Sequence, residues 1–172
     1  MNALPENIKT IHQMLLQTQR TIASAESVTV GHLQSLLAAP SGASKFFEGG
    51  ITVYNLTQKV RHLGVDRDHA AACYCVSERV ALEMARGACR MFETDFAISS
   101  TGYAGPYPEE GVSEPFAYIA IVCGLEFQRC ERITAPAEIE QRTQVQRYYA
   151  EAAIGVLAEV LTEGVALHQL EA

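Results

Sequence analysis

The sequence predicts an α/β fold: a mixed sheet with helices on both faces. Two observations carry this. Stretches with apolar residues at helical spacing alternate with short apolar strands, the arrangement in which helices cover a sheet. In the second half of the chain, two strand-like runs flank Gly124 as a hairpin, so one part of the sheet is antiparallel. The 172 residues suit one domain, taken as 1–172, with ample length for a sizeable core.

Residues 6 to 19 read as a helix with Ile8, Ile11, Leu15 and Leu16 on one stripe. Residues 20 to 26 read as a strand. A helix over 29 to 39 follows, stopped by Pro40, and Ser41-Gly42-Ala43-Ser44 is a turn cluster. A strand is expected over about 49 to 55 and a short helix over 56 to 62. Ser77 is placed to cap a helix running to Phe92, with Val80, Ala81, Met84, Ala88 and Met91 facing inward. Phe96-Ala97-Ile98-Ser99 is a short buried strand. Residues 102 to 115 form a Gly/Pro-rich loop of a length that suggests function or mobility. Residues 117–122 and Glu126 to Ile133 form the hairpin, and the last helix spans 137 to 163. Its apolar positions, Ala153, Val156, Leu157, Val160 and Leu161, form a stripe wide enough to suit a homo-oligomer as well as plain packing on the sheet.

Apolar residues make up 48% of the chain and charged residues 19%, an ordinary globular balance. A net charge of −7 argues against broad affinity for nucleic acid or anionic membranes. No apolar run approaches transmembrane length. The start, Met1-Asn2-Ala3-Leu4-Pro5-Glu6, lacks the plan of a signal peptide, and a cytoplasmic location is expected. The five cysteines include no C-x-x-C pair. Cys73-Tyr74-Cys75 on a strand would put both thiols on one face, but reduced, weakly apolar cysteines are the simpler reading. The five histidines show no ligand spacing; no metal is expected.

The chemistry-bearing pattern begins at Ser27. It follows the strand-like run 21–26 and precedes the helix-like run 32–38, so a small nucleophile faces the unpaired N–H groups of a helix start. Tyr54 and Lys59 come next. A serine becomes a useful nucleophile only when a base takes its proton, and a lysine made neutral by burial can do so. Tyr54 can relay the proton or orient the lysine. The N–H groups of Val28 and Thr29 are the natural donors to an oxyanion. Taken singly, such residues are more often an N-cap, a packed tyrosine and a solvated lysine.

Ala25-Glu26-Ser27-Val28-Thr29-Val30-Gly31 resembles the A-E-S-C-T-G-G signature of the CinA C-terminal domain family, whose stand-alone enzyme is nicotinamide mononucleotide deamidase. The likeness continues through Gly49-Gly50-Ile51-Thr52-Val53-Tyr54-Asn55, Lys59 and Leu63-Gly64-Val65. It resumes at Ser100-Thr101-Gly102-Tyr103-Ala104-Gly105-Pro106, similar to T-G-x-A-G-P, and covers roughly residues 8 to 160. The resemblance implies a three-layer α/β/α fold, no cofactor, and a nucleotide carboxamide as small-molecule substrate. It carries catalytic roles onto Ser27, Tyr54 and Lys59, and substrate-binding roles onto Val28, Thr29, Gly31, Thr101, Gly105 and Arg142. Arg142 falls on the arginine of the family's G-D-R segment, the phosphate partner, while Arg147 reads as solvated. The resemblance also implies that this domain often follows a second one, whose activity this chain is expected to lack.

The departures cluster around substrate binding. Val30 stands where the family has glycine, and would crowd a ligand. The glycine-rich loop after A-G-P becomes Tyr107-Pro108-Glu109-Glu110-Gly111-Val112-Ser113-Glu114, with three carboxylates that would repel a phosphate. Pro115-Phe116-Ala117 replaces G-T-V, and Glu140-Gln141 replaces G-D. Three functions stay open: an amidohydrolase of nicotinamide mononucleotide in pyridine nucleotide salvage, active or weakly so, a non-catalytic member binding a nucleotide-like ligand or a protein, and an amidase for a less anionic substrate. A penicillin-binding type of serine–lysine enzyme is excluded by the missing S-x-x-K spacing.

Overall fold

The computed structural model describes residues 5–124 and 127–168, the side chains of 165–168 excepted. The element order is α1 (Glu6–Thr18), β1 (Ile22–Glu26), α2 (His32–Leu37), β2 (Phe47–Thr52), α3 (Leu56–Leu63), α4 (Arg67–Ala72), α5 (Glu78–Phe92), β3 (Phe96–Tyr103), β4 (Phe116–Cys123), β5 (Phe127–Thr134) and α6 (Arg142–His168). The sheet order is β2-β1-β3-β4-β5. β1 runs parallel to β2 and β3, whereas β3–β4 and β4–β5 are antiparallel. The sheet is therefore mixed, as the sequence predicts.

Side-chain alternation along the strands builds two cores. Ile22, Ile98, Ile119 and Ile121 pack with α1, α2 and α6 on one face. Ala23, Ala25, Ala97, Ala120 and Val122 pack with α3 and α5 on the other. The small residues on that second face let α5 lie close, and its Val80, Ala81, Met84, Ala85 and Ala88 are all buried. Ser77 caps α5 as expected, accepting from the Val80 N–H at 3.1 Å. Gly87 then admits α3, since a Cβ there would lie 2.4 Å from the Leu63 carbonyl oxygen.

The structure departs from the sequence reading in several places. β3 continues through Gly102 to Tyr103 because Gly102 leaves room for the neighbouring strand: a Cβ would sit 2.3 Å from the Phe116 carbonyl oxygen. β2 begins earlier, at Phe47, and α2 is shorter. α4 was not expected; Asp66 caps it by accepting from the His69 N–H at 2.9 Å. Residues 73–76 form no strand. Tyr74 and Cys75 adopt left-handed φ values of 51° and 64° at the end of α4, so the two thiols do not share a strand face. α6 starts at Arg142 rather than 137, because a turn with the Ile139 N–H on the Pro136 carbonyl precedes it. The expected hairpin start at Glu126 lies outside the described residues. Ala153, Val156, Leu157, Val160 and Leu161 are buried against the chain's own α1, α2 and sheet, so packing accounts for the stripe. Among the described residues no helix is long and apolar enough to cross a membrane.

Candidate active site

The C-terminal ends of β1, β2 and β3 converge, with β1 between the other two. The chain leaves β1 toward one neighbour and later crosses to the other, which opens a crevice at the strand ends. Ser27 is the first residue past β1. Its N–H bonds to the Ser100 carbonyl at 2.9 Å, extending the sheet by one rung. Past β2, the Val53 N–H bonds to the Glu26 carbonyl at 2.8 Å. Asn55 then caps α3 through the Gln58 N–H at 3.1 Å, and Lys59 lies one turn further.

Lys59 is 1% exposed. Its Nζ donates to Ser27 Oγ at 2.7 Å and to the Val53 carbonyl at 3.0 Å. Burial pulls its pKa from 10.5 down to about 8, with the nearby Cys75 opposing the fall. The serine and lysine expected to act together are thus in direct contact. A cavity of about 660 Å³ opens above them, within the range of small-ligand sites.

Tyr54 and Arg142 line the same cavity. The Tyr54 side chain is turned outward, 59% exposed, and its hydroxyl accepts from the Arg142 guanidinium at 3.1 Å. Among the described residues it makes no hydrogen bond to Ser27 or Lys59. Arg147 is exposed and does not line the cavity. Thr101 lines it, with its hydroxyl donating to the Cys75 carbonyl at 2.7 Å. That bond ties β3 to the left-handed turn at Tyr74 and Cys75, which forms another wall.

Val28 also lines the cavity. Among the described residues its N–H and that of Thr29 have no hydrogen-bond acceptor. Thr29, Gly31 and Gly105 do not line the cavity. Thr29 is fully buried, its hydroxyl 2.6 Å from both the Glu26 carboxylate and Ser100 Oγ. Glu26, itself fully buried, also accepts from the backbone N–H groups of Gly31, Leu33 and Gln34 at 2.8, 3.1 and 2.8 Å. One carboxylate therefore satisfies the orphan donors at the start of α2 and folds the turn that carries Ser27. Val30 stays off the cavity lining. Its branched side chain instead makes the backbone φ of 42° at that position a strained one.

Sequence reasoning missed Glu26, Tyr74, Tyr103 and the inward turn of Glu110. Glu26 had a signal in hindsight: a charged residue ending an otherwise apolar strand must find partners. Of the carboxylates in the altered loop, Glu110 lines the cavity, while Glu109 and Glu114 do not.

The model of the CinA C-terminal domain matches residues 6–161. The chain belongs to that family. A CinA-like protein of Chlorobium limicola is 46% identical over 98 residues, 57% of this chain and 23% of that protein. The chain spans about a quarter of the length of the first such curated relatives it matches. A crystal structure of a competence-damaged protein (CinA) superfamily protein from Klebsiella pneumoniae 700603 superposes with a TM-score of 0.85 at 24% identity, covering 94% of this chain and 99% of that one. The Escherichia coli superfamily protein gives a TM-score of 0.80 at 28% identity, covering 92% and 89%. The three-layer mixed fold is thus the family's fold.

Proposed function

We propose that this CinA-family chain is a serine-dependent amidohydrolase that converts the carboxamide of nicotinamide mononucleotide, or of a near analogue, to the acid and ammonia. The observation that carries the reading is the 2.7 Å contact between Ser27 Oγ and a buried lysine whose pKa is lowered to about 8. In the neutral state Lys59 takes the serine proton as Oγ attacks the carboxamide carbon. The carbonyl oxygen gains negative charge, and the unclaimed N–H of Val28 can receive it. Collapse breaks the C–N bond, Lys59 returns the proton to the nitrogen, and ammonia leaves. Water, deprotonated by Lys59, then attacks the acyl-serine ester; the C–O bond to Ser27 breaks, Lys59 returns the proton to Oγ, and the carboxylate is freed. Arg142 at the cavity wall suits a phosphate, which would displace its hydroxyl partner, Tyr54. In this scheme Tyr54 positions Arg142 rather than relaying the proton.

A second reading, a non-catalytic family member that binds a nucleotide-like ligand, is favoured by one observation: the Tyr54 hydroxyl is engaged away from the serine–lysine pair. Ammonia release over a panel of pyridine-nucleotide carboxamides separates the two. The amidase reading expects turnover that Ser27→Ala lowers by roughly a thousandfold or more. No release from any panel member supports the binding protein instead, and equal release by Ser27→Ala removes Ser27 as the nucleophile.

A further inference from the structure

The cavity holds two opposite charges that do not meet. Arg142 has the Tyr54 hydroxyl as its hydrogen-bond partner, and Glu110 has the Tyr103 hydroxyl. Among the described residues neither charge forms an ion pair. Two unpaired charges of opposite sign beside one cavity gain from a ligand that brings a countercharge for each. The guanidinium is already assigned to a phosphate, which leaves the carboxylate.

The surroundings of Glu110 are aromatic. Tyr103 stacks on Tyr107 with centroids 6.1 Å apart and planes at 17°, and Phe116 braces Tyr103 edge-on at 5.5 Å. Tyr74 and Tyr107 are exposed large rings at the cavity wall. Burial, and after it the hydrogen bond to Glu110, holds the Tyr103 phenol well above its ordinary pKa. The phenol therefore stays a donor, and its hydrogen bond goes to the Glu110 carboxylate. Cys75 feels both Glu110 and Lys59, so this corner adjoins the serine–lysine pair. Aromatic faces beside a carboxylate are the usual receptor for a delocalised or quaternary cation.

We infer that Glu110, with Tyr103, Tyr107 and Tyr74, is a cation-selecting subsite that takes a carboxamide carried on a positively charged planar ring in preference to a neutral one; the inference rests on the amidase reading of the same cavity. The acidic loop then opposes no phosphate, because the two charges of the ligand fall on different walls. Glu110 is a specificity residue, and the reacting atoms belong to Ser27 and Lys59.

The probes are 1-methylnicotinamide, a cation, and nicotinamide, its neutral counterpart with the same carboxamide. Their dissociation constants are measured by calorimetry on the wild-type protein, Glu110→Gln and Glu110→Asp, with ammonia followed in the same samples. The cation is expected to bind about tenfold tighter than the neutral ring. Glu110→Gln should erase that preference and Glu110→Asp should restore most of it. Equal affinity of the wild type for both probes, binding of neither, or a preference that survives Glu110→Gln overturns the subsite. Cation preference without ammonia release from any carboxamide sinks the amidase reading alone, so the two failures are told apart.

Discussion

Two stretches of chain reach the same cavity by opposite means. The β1–α2 junction is buried over residues 26–29 and closed on itself: Glu26 and Thr29 are fully inaccessible, and a single carboxylate gathers a hydroxyl and the backbone N–H groups around it. The β3–β4 connection, residues 104–115, is mostly exposed, with a short helical turn at Pro108–Glu110 and a lone bridge between Tyr107 and Val112. The first holds Ser27, where a small displacement of Oγ from Lys59 would undo the contact. The second presents Tyr107 and Glu110 on a loop whose sequence can change without disturbing the sheet. That division explains how this chain departs so far from the family's glycine-rich loop while Ser27 and Lys59 stay in contact.

The sharpest way to break the comparison is to remove the group on which the buried side depends. Lys59→Met should abolish amide turnover, by a thousandfold or more, yet raise stability near neutral pH. The sign follows from linkage. The folded-state pKa is about 8 against 10.5 for the free side chain, so between those values the unfolded chain holds more protons and wild-type stability rises with pH. Below pH 8 the buried ammonium carries its full penalty, about 3 kcal/mol from a lowering of that size, offset in part by its bonds to Ser27 and Val53. Thermal melts of both proteins across pH 6 to 10 should show the methionine advantage largest at the acid end and shrinking above pH 8. The same group predicts a wild-type kcat/KM that climbs with pH to a plateau, half-maximal near pH 8. A flat profile over that range would remove Lys59 as the base.

Much of this arrangement was legible in the sequence. Ser27 at the end of an apolar run, Asn55 and Ser77 before helical runs, and Lys59 past a strand each have local signatures, because strand ends and caps are decided by near neighbours. The orientation of Tyr54 was not legible: it depends on Arg142, 88 positions away. α4 escaped because its six residues, Arg67–Ala72, bury Ala70 and show no stripe. The left-handed turn at Tyr74 and Cys75 carries no glycine to announce it, and its hold comes from Thr101 on another element. Glu110 read as a repulsive charge because sequence alone could not show that it faces a different partner from Arg142.

Glu26 tests the cohesion of the junction. Glu26→Gln keeps the shape but turns an amide NH₂ toward groups that are themselves donors. One or more buried donors at the start of α2 then lose their acceptor, at about 2 to 3 kcal/mol in total. Denaturant unfolding should register that loss, and turnover should fall with it, since Ser27 is the neighbouring residue. The exposed wall gives the contrast: Glu110→Gln should leave the unfolding midpoint within the experimental scatter of the wild type. Comparable losses of stability for the two glutamates would erase the distinction between the walls.

The smallest effect is expected at Val30, the junction's own irregularity. A β-branched residue at a φ of 42° is strained by about 1 to 2 kcal/mol. Glycine relieves that strain and gives back part of the gain through the greater freedom of the unfolded chain. Val30 is a third exposed and off the cavity lining, so little packing is lost and no ligand contact changes. Val30→Gly should therefore raise the melting temperature by about 2 to 4 °C, the shift that roughly 1 kcal/mol produces in a chain of this size, with binding of 1-methylnicotinamide unaltered. A large gain in ligand affinity instead would mean that Val30 does obstruct the cavity, and that the junction, like the loop, takes part in recognition.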